Sequence, residues 1–434
     1  MKKDKQKKKV NWKKIGKVTL IVIGVILAII LVVGLVGCIL NPIITKAHLE
    51  NVATIEKVKI ENQLVPQKDN DGVWTFTTDD DFRVMQLTDV HIGAGWMCSS
   101  KDTMAINAVA NMISVEKPDL VIITGDLVYP VPFQAGTFDN MNSAEIVANL
   151  MEALGVYWLP VFGNHDTEIY SRYTRDEITK FYADEKWEYC LFEDNSEDDV
   201  DGYCNQVINV KNSLGIITQS LYSFDTHSYV DGDYFGIGWK YDNIHENQVE
   251  WYKANVEKYN KQNVDFINNS DLENKAEMLE KYSVVKSLAF WHVPSTEYLD
   301  AWNEYAEANY NDTENVKHHY GLVRETGKLV YSGVYADQIF EAMQELGGTQ
   351  GIFCGHDHLN NFSIEYKGIR LTYGFSIDYL AYTGISKLGS QRGCTMITTK
   401  PDGSFDCVAE NYYQEKYAND SRESVQMQDT NKEG

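Results

Sequence analysis

Five short clusters of carboxylate, imidazole and amide side chains recur along this chain, each at the end of an apolar run. They are Asp89-Val90-His91, Gly125-Asp126, Gly163-Asn164-His165-Asp166, His292 and Gly355-His356-Asp357-His358. Nitrogen and oxygen donors without thiolate suit zinc, manganese or iron rather than a soft copper site. A single pair of loop histidines would carry no message. The ordered repetition points to metal chemistry. Histidines at i and i+2 on extended backbone project to one side, so His356 and His358 are expected to aim into one small volume.

The elements that must position these residues follow from periodicity. Phe82 to Leu87 alternates like a strand and runs into Asp89. Residues 102–116 read as a helix with Asp102 as N-cap and Pro118 just beyond its end. Asp119 to Ile123 is a buried-type strand, 142–154 a helix, and Val156 to Phe162 a strand ending at Gly163. Strands alternating with helices imply parallel crossovers, and in such sheets ligands gather beyond the carboxyl ends of strands. Further strands are expected at 214–218, 221–224, 287–291, 351–354, 362–366, 369–375, 394–399 and 404–409. Helices are expected at 247–259 and 336–346, the latter closed by Gly347 and Gly348. Residues 167–213, with the acidic run 193–199, and residues 300–334 read as excursions, and 260–282 as polar and undefined.

Charge is unevenly spread. Residues 1–17 hold nine lysines and one aspartate, a net +8, so the rest carries −32 of the overall −24. An acidic body excludes nucleic-acid binding through a broad basic face. Any anionic substrate then needs a fixed local positive charge, which bound metal would supply. The lysine block precedes an uncharged apolar run from Val18 to Leu40, long enough to cross a hydrocarbon core of about 30 Å. Lysines stay cytoplasmic, which places the remainder outside the cell. The competing readings are a cleaved signal peptide and a lipoprotein anchored at Cys38, after Leu35-Val36-Gly37. Cys190 and Cys204 are close enough in sequence for a disulfide in an extracellular body, and the lack of any C-x-x-C pair argues against thiolate zinc. The expected organisation is a basic segment 1–17, a transmembrane signal-anchor 18–40, a stalk with leading strands 41–80, a catalytic domain 81–415 and a polar, disordered tail 416–434.

From about Phe82 to Val408 the ordered clusters resemble the calcineurin-like metallophosphoesterase superfamily, in its purple-acid-phosphatase-related branch. The resemblance implies an α/β fold of two mixed β-sheets packed face to face and flanked by helices, here preceded by one N-terminal transmembrane helix. It implies two metal ions (iron, manganese or zinc) and hydrolysis of a phosphate ester by a metal-activated water. It assigns Asp89, His91, Asp126 and His358 to the first metal, and Asp126, Asn164, His292 and His356 to the second. His165 would face the phosphate and help the leaving group depart, and Asp166 would orient it, the alternative for Asp166 being a turn cap. A carboxylate such as Asp126 has two oxygens and so can bridge a metal pair.

One feature departs from the pattern. Gly125-Asp126-Leu127-Val128-Tyr129 also matches the Gly-Asp-x-x-Tyr signature of true purple acid phosphatases, in which the tyrosine ligates iron and no histidine stands at the place of His91. With both present, His91 is expected as ligand and Tyr129 as pocket wall. Asp357 is a candidate acceptor for a ligand imidazole. His227, His245, His318 and His319 are read as structural or exposed, with His318 and His319 able to edge the site from the second excursion. Two other functions stay open: a phosphodiesterase acting on nucleotides or envelope polymers, and a metal-stabilised binding protein whose catalysis has lapsed.

Overall fold

The computed structural model describes residues 12–195 and 199–428. The lysines before residue 12, positions 196–198 of the acidic run and residues 429–434 of the tail lie outside the described residues. Among the described residues one sheet has nine strands, in the order β1 (Gln67–Lys68), β2 (Trp74–Thr77), β6 (Gln206–Lys211), β7 (Ile217–Ser223), β8 (Lys286–Phe290), β10 (Thr349–Cys354), β12 (Ile369–Tyr373), β11 (Ser363–Tyr366) and β9 (Val316–Tyr320). The other has five: β14 (Phe405–Asn411), β13 (Gly393–Thr399), β3 (Phe82–Leu87), β4 (Leu120–Thr124) and β5 (Trp158–Val161). Both are mixed. β7, β8, β10 and β12 are mutually parallel, as are β3, β4 and β5, whereas β6 runs against β7 and β13 against both β3 and β14.

Alternation along the central strands explains the layers. Leu221, Leu288, Phe290 and Phe353 of the larger sheet share one core with Val84, Leu87, Val121 and Ile397 of the smaller, so the sheets pack face to face. Their neighbours Tyr222, Ala289 and Ile352 point the other way, into a second core. Strands buried on both faces need cover on both. Here α5 (Glu246–Asn269), α7 (Glu297–Glu307) and α8 (Ile339–Leu346) supply it with Tyr252, Tyr298 and Phe340. The first core also takes in α2 (Ser99–Glu116) and α3 (Asn140–Leu154) through Ile106, Met112, Ile146 and Leu150. This is the expected architecture of two mixed sheets flanked by helices.

The N-terminal helix α1 spans Trp12–Val52 and is long and apolar enough to cross a membrane. It does not stop at the end of the apolar run. Asn41, Thr45, His48 and Val52 are buried against the domain, so the first part of the expected stalk is packed helix.

Other expectations also need correction. The first excursion contains α4 (Arg175–Tyr182), opened by a Thr174/Glu177 capping box, and all of β6. The second excursion contains most of α7 and β9, and residues 260–282 hold the end of α5 and α6 (Lys275–Tyr282). Polar side chains masked these elements, on exposed faces in the helices and buried in β6, where Gln206 and Asn209 face inward. Asp102 is not an N-cap. It lies inside α2 and accepts the N–H groups of Gly93 (2.9 Å) and Ala94 (3.0 Å), bracing the loop that follows His91. Residues 416–428 lie on the domain rather than in solvent: Tyr417 is fully buried, and Glu423 accepts hydrogen bonds from Tyr379 and Tyr413. Cys190 and Cys204 are buried free thiols and form no disulfide.

Candidate metal centre

The donor-bearing loops leave the carboxyl ends of five parallel strands. Asp89 and His91 follow β3, Asp126 follows β4, Asn164 and His165 follow β5, His292 follows β8, and His356 and His358 follow β10. Turning four of the seven donors inward takes uncommon backbone. Asp89 (φ 50°), His91 (φ 52°), Asp126 (φ 52°) and His356 (φ 75°) are all left-handed, a conformation that costs non-glycine residues of order 1 kcal/mol or more each. Two glycines make room. A Cβ on Gly125 would lie 2.4 Å from the His292 ring, and one on Gly163 would lie 2.2 Å from Asp126 Oδ1.

The clusters converge into two groups of donor atoms, each group within 4.8 Å. One is Asp89, His91, Asp126 and His358; the other is Asp126, His292 and His356. Asp126 belongs to both. Its Oδ2 lies 3.1 Å from His91 Nε2 and 3.2 Å from His292 Nε2. Asn164 Oδ1 stands 3.1 Å from His292 Nε2, which puts it beside the second group. His356 and His358 do not aim into one volume as extended backbone would dictate. The left-handed φ of His356 breaks the alternation and sends the two rings to different groups.

The outer ring nitrogens are also held. His292 Nδ1 donates to the Thr124 carbonyl at 2.8 Å, which leaves Nε2 as its inward lone pair. His91 Nδ1 and His358 Nδ1 face the two oxygens of one carboxylate, Asp378, at 3.2 and 3.1 Å. The sequence makes Asp357 the candidate for such a role. Asp357 instead accepts from the Tyr373 hydroxyl (2.6 Å) and the Tyr331 backbone (3.1 Å), because its side chain turns away from both rings. Asp378 follows β12 within the buried run Phe375-Ser376-Ile377, and an aspartate closing a strand-like apolar run was the available signal.

The pKa shifts record how crowded the cluster is. Burial opposes charge on His91, but Asp378 and Asp126 outweigh it and raise its pKa to about 9. Burial opposes charge on His292 too, and Asp126 again outweighs it, to about 9. Asp126 stays far below the usual carboxylate range although burial pushes it up, because His292 and His165 flank it. Here protons neutralise carboxylates that cations would neutralise as well, and metal binding at such a site displaces them. The donor set, its tautomers and its charge therefore fit metal ions.

His165 stands outside both groups, its ring 5.6 Å from that of His91 and 4.8 Å from that of Tyr129. The residue that orients it is not Asp166. His165 Nδ1 lies 2.7 Å from Glu168 Oε1, and Tyr229 donates to the same oxygen at 3.1 Å. Asp166 is buried below and accepts backbone N–H groups of Asp126 (3.0 Å), Val128 (3.0 Å) and Gly163 (2.6 Å), tying the β4 and β5 loops together. Burial and the neighbouring Asp126 raise its pKa to about 6. The spacing His165-x-x-Glu168 is the sequence signal for this pair. The Tyr129 ring lies tilted 4.7 Å from that of His91, and its hydroxyl donates to Gln134 at 2.8 Å.

The model of the calcineurin-like phosphoesterase family matches residues 82–360, more than half of the chain. The chain belongs to that family. The chain is similar to probable inactive purple acid phosphatase 14 of Arabidopsis thaliana, 28% identical over 329 residues, covering 71% of this chain and 73% of that protein. It is also similar to phosphatase DCR2 of Saccharomyces cerevisiae, 24% identical over 310 residues, covering 67% of this chain and 46% of that protein. Among solved structures, a dimetal phosphatase from Danio rerio aligns with a TM-score of 0.45 at 10% identity, over 77% of this chain and all of that one.

Donors of both groups open onto a cavity of about 190 Å³, lined by Asp126, His165, His356, His358 and a wall of Tyr129, Trp239, Tyr241, Tyr331 and Tyr382. Glu325 and Asp357 also line it, and no lysine or arginine does among the described residues. A phosphoryl group entering this cavity meets carboxylates, so positive charge must come from cations at the donor groups. A larger cavity, about 880 Å³, lies between α1 and residues 136–142 and contains none of these donors. The remaining histidines are elsewhere. His227 and His245 stack on each other at 4.1 Å, and His318 and His319 sit on the edge strand β9, away from the donors.

Proposed function

We propose that the chain is a membrane-anchored metallophosphoesterase that hydrolyses phosphate esters outside the cell, with α1 as anchor and residues 1–17 cytoplasmic. The observation that carries the catalytic reading is the pair of donor groups sharing Asp126, with His165 beside them on the same cavity. Asp89, His91, Asp126 and His358 would hold one ion, and Asp126, Asn164, His292 and His356 the other. When bound, such ions supply positive charge for the phosphoryl oxygens and acidify a water that attacks phosphorus. Iron, manganese and zinc suit the donors.

The chain's own side chains do the rest. Glu168 accepts the Nδ1–H of His165, so Nε2 is the nitrogen left for the substrate. There His165 protonates or hydrogen-bonds the departing oxygen. The Asn164 amide donates to the Tyr229 hydroxyl at 3.1 Å, which leaves its carbonyl oxygen free to act as a donor atom. The aromatic wall excludes water from the cavity and contacts the organic part of the ester.

The name of the Arabidopsis thaliana relative, probable inactive purple acid phosphatase 14, favours a second reading, a metal-stabilised protein without turnover. Hydrolysis of nitrophenyl phosphate mono- and diesters by the metal-free chain, with iron, manganese or zinc added back, separates the two. Metal-dependent turnover supports the first reading. Stoichiometric metal binding without turnover of either ester supports the second.

A further inference from the structure

Strand direction fixes which end of the domain holds the metal centre. All the donor loops leave carboxyl ends of strands, and so do the loops after β7 (residues 224–245) and β9 (residues 321–338), because β7 is parallel to β8 and β9 runs the same way as β10. The turn between β6 and β7, with Leu214, lies at the opposite end.

The course of α1 relates this end to the membrane. Asn41 donates to the Gly136 carbonyl at 3.3 Å, just ahead of α3, and accepts from the Trp96 backbone at 3.0 Å, just ahead of α2. Seventeen residues on, Val58 donates to the Leu154 carbonyl at 2.9 Å, at the end of α3. The two helices are therefore parallel. Because α3 begins after β4 and ends before β5, it runs away from the metal centre. The apolar run 18–40 consequently leaves the domain at the metal-centre end. No spacer intervenes, since Leu40 ends the apolar run and Asn41 is already bonded to the domain. At 1.5 Å per residue the run is about 35 Å long, a bilayer's thickness.

The same end exposes large apolar side chains. Phe133, Tyr234, Phe235, Ile237, Trp239 and Tyr335 are 56–82% exposed, and four of them fall within the six residues Tyr234–Trp239. Trp239 also lines the cavity and packs edge-on to Tyr331 at 6.2 Å, so the apolar rim is continuous with the pocket wall. Exposed clusters of this kind mark membrane contact, and Trp and Tyr favour the headgroup layer.

We propose that the cavity opens onto the bilayer that α1 enters, with residues 230–240 seated in the headgroup layer, and that the substrate is a phosphate ester carried by a membrane lipid. This rests on the anchored-phosphoesterase reading above.

The test uses the full chain reconstituted in phosphatidylcholine vesicles, with an environment-sensitive fluorophore on Ile237→Cys or Leu214→Cys and the unsubstituted chain as labelling background. A blue-shifted probe at 237 and a water-like probe at 214 are expected. A water-like probe at 237 in chain that survives alkaline carbonate extraction overturns the orientation. Release by carbonate would instead mean that the anchor reading has failed. For the substrate, phosphatidic acid in the vesicles is compared with its soluble dihexanoyl form. The vesicle lipid should turn over at least about tenfold faster, and a Phe235→Ser/Ile237→Ser double variant should lose about tenfold on it while keeping nitrophenyl phosphate turnover. Equal rates on both lipids, or an unaffected double variant, refute the lipid substrate. If no ester is hydrolysed, the phosphoesterase reading fails, and the probes still decide orientation.

Discussion

The two donor groups share Asp126 but are built differently. Asp89 adds a second carboxylate to the first group, all four of its donors are buried, and the outer nitrogens of its two histidines face one carboxylate. That carboxylate, Asp378, is itself fixed by the N–H groups of Leu380 (2.7 Å) and Ala381 (2.7 Å). The second group has only the shared carboxylate. Its His292 is held by a neutral carbonyl, and its His356 packs edge-on against Tyr241 at 4.2 Å near the cavity mouth. Coulombic attraction for a cation scales with nearby negative charge and grows in a buried site. The first position is therefore expected to bind metal more tightly, and the second to exchange and to meet substrate.

The largest effect should come from the shared residue. Asp126→Asn is expected to weaken both positions and to reduce nitrophenyl phosphate hydrolysis to the metal-free background. Near-normal turnover with two ions bound would dissolve the idea of a bridge. Next is His165→Ala, which spares both groups. Metal content should be retained while esters with poor alkoxide leaving groups slow by about 10²–10⁴-fold. Nitrophenyl esters should slow less, so the dependence on leaving-group pKa steepens. An unchanged dependence would remove His165 from the role of acid.

Asp378→Asn addresses the asymmetry itself. Outer partners of ligand histidines typically contribute about 10–100-fold in metal affinity. The variant should lose that much at the tighter position and little at the weaker one, measured by competition with a chromophoric chelator. Equal losses at both would show that Asp378 does not distinguish them.

The smallest effect concerns the loop that carries Tyr241 past His356. His245 pins it between Asp242 and Asp201, at 3.4 and 2.6 Å, and hydrogen bonds to these carboxylates, against partial burial, raise its pKa to about 9. Because the folded value exceeds the usual 6.5, the stabilisation is complete below pH 6.5 and lost as pH rises through 9. The pair is partly solvated, which limits it to about 1 kcal/mol. The stability gap between the parent and His245→Asn, from urea unfolding, should close between pH 6 and pH 10. A gap independent of pH would rule out the pin.

The asymmetry was only half legible in the sequence. Every donor announced itself because the strands before Asp89, Asp126, Asn164, His292 and His356 are short apolar runs cut by a polar cluster, a pattern that burial and strand geometry impose. The braces did not. Asp378 and Glu168 act across space, one on two histidines from other strands and one on a neighbour a turn away, and neither carries a glycine-flanked signature. Asp166 was misassigned because adjacency to His165 in sequence suggested contact, whereas the turn after β5 points the two side chains apart. Elements such as β6 and α6 were hidden by polar faces, and their places are set by packing partners far away in the chain.

The most direct test of the dinuclear account is a calorimetric titration of the metal-free chain with manganese or zinc, followed in parallel by nitrophenyl phosphate hydrolysis. Two ions per chain in two resolved steps, with proton release and with activity rising only on the second, is the predicted result. A single ion per chain, or activity complete after the first, would contradict it.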